Sequence, residues 1–239
     1  MLGASLGFRN SRNIWYGLLI CGLYGVLSSK CAMALSPATD DNVSNLMVVL
    51  RELDGANEPA EVLKPLGKMQ GTLADGKQIE MEFAWFKFLG DMVVRFVFDH
   101  PDYMTNATPQ DLARLNLSPE QALRRAVNNI TRVYGEPVAT PWTGGLMQVK
   151  GKSPDLDSSY FLDRAFWQGL LRQHPEGIVA AVPKRGGLLF TPVTDSNAVD
   201  SLRKGIAYLY SSSGDMRVSS ALYLFKDDRW SVFQPPQAQ

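Results

Sequence analysis

The period of the apolar positions changes several times along the chain, and each change marks an element. Leu46, Val49, Leu50 and Leu53 fall three and four apart, the spacing of one helical face. A helix is therefore expected over Val43–Leu53, capped by Asp41 or Asn42 and stopped at Asp54-Gly55. A further helical turn is expected within Glu58–Leu66, ahead of Gly67. From Met69 the pattern switches to alternation, with Ile79, Met81, Phe83 and Trp85 at period two. Ala74-Asp75-Gly76-Lys77 supplies an Asp-Gly hairpin turn, and Gly90-Asp91 turns the chain again into the apolar run Met92–Phe98. The expectation is a three-stranded antiparallel meander.

Helical signals return after a polar turn at Asp99-His100-Pro101-Asp102. Thr108-Pro109-Gln110-Asp111 places a capping residue, a proline at the first helical position and an acid in the first turn. Ser118-Pro119-Glu120-Gln121 repeats the device as a capping box. The helix that follows carries the stripe Leu123, Val127, Ile130 and Tyr134, and Gly135 and Pro137 end it. Pro137–Thr143 and Gly145–Lys150 read as two short strands or an irregular hairpin around Gly144-Gly145. The polar stretch Gly151–Asp157 then divides the chain into halves over 35–150 and 151–233. The second half is expected to hold a helix over Ser158–Gln173, burying Phe161, Leu162, Ala165, Phe166 and Leu170. A hairpin of Gly177–Pro183 and Leu188–Pro192 follows, then a helix over Ala198–Tyr210 capped by Asp195 or Ser196. Val218–Phe225 and Arg229–Phe233 form a last hairpin over Asp227-Asp228, and Gln234–Gln239 reads as a disordered tail. Helices alternating with antiparallel hairpins make an α+β fold of two packed halves.

The first 34 residues follow another pattern. Arg9 and Arg12 precede the apolar run Ile14–Leu27, and no acid occurs before Asp40. The run is shorter than the roughly 20 residues a membrane-spanning helix needs. Ala32-Met33-Ala34 supplies the small-x-small pattern of a signal peptidase site. Met1–Ala34 therefore reads as an export leader cleaved after Ala34, with an uncleaved N-terminal anchor as the alternative and no membrane span in the mature chain. Removing Arg9, Arg12 and Lys30 leaves 21 basic against 24 acidic residues, a formal charge of −3. That balance argues against nucleic-acid binding, which needs a basic footprint. Cys21 and Cys31, the only two cysteines, leave with the leader, so the mature protein has no disulfide, thiolate nucleophile or zinc–thiolate site. Export without cysteine fits a bacterial periplasm or secretion.

Candidate chemistry is sparse. Gly71–Lys77 approaches a phosphate-binding loop, but Gln78 stands where the magnesium-binding hydroxyl belongs and a strand, not a helix, follows. His100-Pro101-Asp102 is the tripeptide of J-domain co-chaperones, which set it between two helices; here a β-type run leads into it. A triad from Ser158 or Ser159 with His174 lacks the Gly-x-Ser-x-Gly elbow. Asp99, His100 and Asp102 form a turn cluster rather than a metal set, and Asp155-x-Asp157 lacks the spacing of a calcium loop. Lys184-Arg185-Gly186-Gly187 is a hairpin tip able to offer backbone amides to an anion. Asp99, His100, Lys184 and Arg185 are thus the candidate binding residues, with no catalytic set, metal or cofactor. Phe83, Trp85, Phe86 and Phe88 exceed what one sheet face buries and suggest an interaction surface.

The strand Met92–Phe98 with Asp99-x-Pro101, Asp111-Leu112, Ser118-x-Glu120, Ala126 and Asn128-Asn129 resembles the YtpQ-type bacterial proteins of unknown function. So do Ser158–Leu162, Phe166-Trp167, the run Val179-Ala180-Ala181-Val182-Pro183-x-Arg185 and Leu188–Thr191. The resemblance covers roughly 91–233 and implies a compact α+β domain with no established activity. The sequence as a whole points to an exported, non-catalytic module that binds a protein or small molecule. The alternatives are a hydrolase using Asp99 and His100 near a strand end, or a chaperone-like helper of envelope assembly or secretion.

Overall fold

The computed structural model describes residues 41–72 and 75–237. The expected leader Met1–Ala34, with Cys21 and Cys31, lies outside the described residues. The fold is α+β, as the alternation of helices and hairpins predicts, and every strand pair is antiparallel. No helix among the described residues is long and apolar enough to cross a membrane.

The first element corrects the sequence reading. Leu46–Glu52 is a strand, β1, rather than a helix. Leu46–Leu50 is an unbroken apolar run buried throughout, as a strand covered on both faces requires. Over so few residues such a run mimics helical spacing. Asn42 caps no helix; its side chain accepts from the Ser44 amide at 2.8 Å and closes a local turn. Residues 58–66 are also extended, ending in β2 (Lys64–Pro65), so the expected helical turn is absent there.

The expected meander is split. β3 (Lys68–Thr72) and β4 (Gln78–Glu82) form a separate two-stranded sheet around the Asp75-Gly76 turn. The chain bends at Ala84 before β5 (Trp85–Lys87) pairs with β6 (Met92–Asp99). β6 also pairs along its length with β1, and its end pairs with β7 (Met104–Asn106). This five-stranded sheet runs β1-β6-β5-β2, with β7 on β6.

Two helices follow with the expected chemistry. Thr108 and Ser118 cap α1 (Pro109–Arg114) and α2 (Pro119–Tyr134), each through a complete capping box. α2 lies against β1, and its Asn129 amide donates to the carbonyls of Val43 and Leu46 at 2.8 and 2.9 Å.

β8 (Val138–Pro141) and β9 (Met147–Lys150) precede the Gly151–Asp157 stretch, yet β9 pairs with β11. They complete a six-stranded sheet of order β13-β12-β10-β11-β9-β8. Its other members are β10 (Ile178–Lys184), β11 (Gly187–Pro192), β12 (Leu222–Lys226) and β13 (Arg229–Gln234). Gln234, placed by the sequence in the tail, ends β13, and the Gln237 amide bonds Ser220 Oγ at 2.9 Å.

The helix expected over Ser158–Gln173 is broken in two. A 3-10 segment spans Pro154–Leu162, and Asp163 caps a new helix, α3 (Arg164–Leu171). The restart changes the phase: Trp167 becomes wholly buried while Ala165 is exposed. Asp195 caps α4 (Ser196–Ser211), whose Ala198, Val199, Leu202 and Ile206 pack on Val179, Ala181 and Leu189. The other face of β10, with Ile178, Ala180 and Val182, joins a larger core. That core unites β1, β6 and α2 of the first half with Phe161, Trp167, Phe190, Tyr223 and Trp230 of the second.

Candidate functional site

Asp99 and His100 sit where β6 ends. Asp99 accepts a hydrogen bond from the Tyr134 hydroxyl at the C-terminus of α2. The His100 side chain is 8% exposed, stacks on Tyr103 at 4.6 Å, and places Nε2 3.1 Å from Asp41 and 3.3 Å from Thr105. Its amide bonds the Tyr103 carbonyl, closing the turn through Pro101-Asp102. Lys184 and Arg185 lie on the six-stranded sheet instead. Lys184 pairs with Gly187 across the β10–β11 turn and bridges to Arg217. Arg185 donates its amide to Met216 and its guanidinium to the Asp215 carbonyl at 3.2 Å. Among the described contacts the two pairs share no partner. Ser158 and Ser159 are buried in the 3-10 segment, whereas His174 closes the end of α3 by bonding the Leu170 carbonyl with its amide.

Strand alternation divides the aromatic run. Phe86 and Phe88 turn into the core, 5% and 4% exposed. Phe83 and Trp85 turn the other way and stack at 4.8 Å, with the Arg95 guanidinium 3.7 Å over the Trp85 ring. Trp85 and Arg95 are cross-strand partners, and alternation therefore puts them on one face.

The densest polar chemistry lies between the sheets and escaped the sequence reading. Asp91, 4% exposed, accepts from the Ser219 hydroxyl, from the Tyr223 hydroxyl at 3.1 Å and from the Ser220 amide at 3.3 Å. Burial raises its carboxyl above the usual range, and these donors pull it back. Burial also drives the Tyr223 hydroxyl well up, with the Asp91 charge adding to the effect. Gly90 is required beside them: its φ is +56°, and a Cβ there would lie 2.6 Å from Tyr223 Oη. Nearby, the Tyr210 hydroxyl donates to Glu52, which joins α4 to β1. A similar device serves the 3-10 segment. Asp157 accepts the Gly151 amide at 2.7 Å, and Tyr160 donates to the Gly135 carbonyl at 2.7 Å. Burial pushes Asp157 up to about 6 and Tyr160 to about 12. In the sequence, Asp91 looked like a turn residue, because nothing local reveals Ser219, Ser220 and Tyr223 more than a hundred positions away.

Open concavities lie elsewhere. A cavity of about 320 Å³ opens where the halves meet, lined by Glu61, Leu63, Phe88 and Glu120 on one side and Phe161, Leu162, Arg164 and Trp230 on the other. α2 adds Leu123 to its wall. Arg164 is fixed there by Glu61, both of whose oxygens accept from one terminal nitrogen at 2.9 and 3.0 Å. Its other terminal nitrogen donates to the Asp228 carbonyl at 3.0 Å, in the β12–β13 turn. Phe161 stacks on Trp230 at 4.1 Å behind this ion pair. Another groove, of about 600 Å³, runs past Asn128, Arg132, Glu136 and Asp163, and an apolar one of about 280 Å³ lies between Phe86, Leu112 and Leu117. Among the described residues no three His, Cys, Asp or Glu side chains converge as a metal site. No family model matches the chain, and neither a curated protein nor a solved structure is found to match it.

Proposed function

We propose that the protein is an exported, non-catalytic binding module whose ligand site is the cavity between α2, the Pro154–Leu162 segment and β13. The observation that carries this reading is the composition of that cavity. Both halves build it, seven apolar side chains line it, and Glu61, Glu120 and Arg164 complete the wall, with Arg164 held by Glu61. Small-molecule sites have this make-up, occur at such junctions, and run to about 300–1,000 Å³. The hydrolase alternative has less support, because Asp99 and His100 are engaged by Tyr134, Asp41, Thr105 and Tyr103. Kinship with the YtpQ-type proteins is proposed on residue pattern alone.

A thermal-shift screen of small molecules tests the site. A ligand at about 100 times its Kd stabilises the folded state by about 2.7 kcal/mol, which raises Tm by roughly 5–10 °C for a chain of this size. Leu123→Trp fills the cavity and should abolish the shift while leaving the unliganded Tm nearly unchanged. Hits that survive Leu123→Trp would place binding elsewhere. Export is tested separately: N-terminal sequencing of the protein from the producing cell's envelope or medium should begin at Leu35. A chain retaining Met1 would replace cleavage by an anchored or unexported form.

A further inference from the structure

The charges around the cavity narrow the chemistry of its ligand. Its ionisable wall is Glu61, Glu120 and Arg164. Arg164 is already engaged, with one terminal nitrogen on both Glu61 oxygens and the other on the Asp228 carbonyl. The acids keep spare capacity, since each carboxylate offers about four acceptor sites. Glu120 uses one on the Ser118 hydroxyl at 2.8 Å. It stands in the first turn of α2, where the helix terminus favours the ionised form, and its carboxyl is held below the usual range by its own backbone amide, by Ser118 and by Arg124. Two acids thus share the wall with one base that is already paired. The apolar part of the wall is Phe88, Leu123, Leu162 and Trp230, a surface suited to a ring or short hydrocarbon.

We infer that the cavity binds an organic cation: a primary amine carrying an aromatic or branched apolar body, its ammonium against Glu61 and Glu120 and its body against Leu123 and Phe88. An anionic ligand would have to displace Glu61 from Arg164 and then meet the Glu120 carboxylate. The inference rests on the reading of this cavity as the ligand site.

The test is isothermal titration of the full mature chain with three molecules of one shape. These are 2-phenylethylamine, uncharged 2-phenylethanol and anionic phenylacetate, at equal ionic strength. The amine should bind, and the other two should bind at least about tenfold more weakly, the loss of one charge-assisted contact. Glu120→Gln, at an exposed side chain, should weaken the amine by a similar factor without changing Tm. Glu61→Gln should do the same, and it carries a second readout because it also frees Arg164: phenylacetate affinity should rise. Equal binding of all three, or preference for phenylacetate by the unaltered protein, overturns the inference. So does a failure of all three to bind. In each of those cases, a hit of other chemistry that Leu123→Trp abolishes would leave the cavity itself standing as the site.

Discussion

Asp91 and Asp157 are each 4% exposed, and neither belongs to an ion pair among the described residues. Hydrogen bonds offset part of the cost of burying them, but desolvation is the larger effect on both carboxyls. The sign of the consequence follows from proton counting. As pH rises, the unfolded chain releases the Asp157 proton near 3.8, while the folded protein holds it until about 6. Between those values the folded state binds more protons, so this group's contribution to stability falls as pH rises and levels off above about 6. Asp91 is shifted in the same direction and acts with the same sign. Asp157→Asn keeps an acceptor for the Gly151 amide and removes the titration. Urea unfolding at pH 4.5 and pH 7 should therefore show the variant gaining stability relative to the parent as pH rises. A difference between the two proteins that is constant across this range would refute the assignment. Acids that are held ionised, such as Glu120, give a background slope of opposite sign, and the comparison cancels it.

At the scale of the element, what was legible depended on whether the deciding interaction was local. The caps at Thr108, Ser118 and Asp195 were readable because a helix cap is made within four residues of chain, by a capping box at the first two and by the Asp195 side chain on the Ala198 amide at the third. The Asp-Gly turn of β3–β4 and the Asp227-Asp228 turn of β12–β13 were readable for the same reason, the latter with φ of +50° and +59°. β1 was misread because Leu46–Leu50 is apolar at every position, so helical and extended readings fit equally well until β6 supplies the partner. The break at Asp163 was missed because Leu162 and Ala165 continue a plausible stripe across it. Only the buried Trp167, whose indole donates to the Tyr160 carbonyl at 2.9 Å, shows that the phase has changed. The split of the meander at Phe83 is set by Ala84, whose amide bonds Ala107 and whose carbonyl accepts from Phe96. The candidate cavity was beyond reach in the same way. Glu61 and Arg164 stand 103 positions apart, and a charge on each side of a loop looks like ordinary solvated surface.

For the whole molecule, the question is whether the two halves behave as separate units. The polar stretch at Gly151–Asp157 suggests separation, but several contacts cross it. β9 is built into the second half's sheet, Asp91 is held by Ser219 and Tyr223, and Phe88 meets Phe161 edge-on at 6.5 Å. One cluster of buried side chains runs from Leu46 to Trp230. A core shared in this way couples the stabilities of the parts it joins, because neither can open without exposing the other's apolar surface. Trp230→Ala removes a ring stacked on Phe161 and T-shaped against Trp167 at 4.9 Å, at a cost of about 3–5 kcal/mol. In a coupled molecule that loss reaches β1 and β6, which lie in the other half. Hydrogen exchange should therefore show the slowest amides of β1–β6 and of β10–β12 accelerating by the same factor in Trp230→Ala. Acceleration confined to β10–β12, with β1–β6 keeping its protection, would mean that the halves unfold independently and that the candidate cavity lies at a seam able to open.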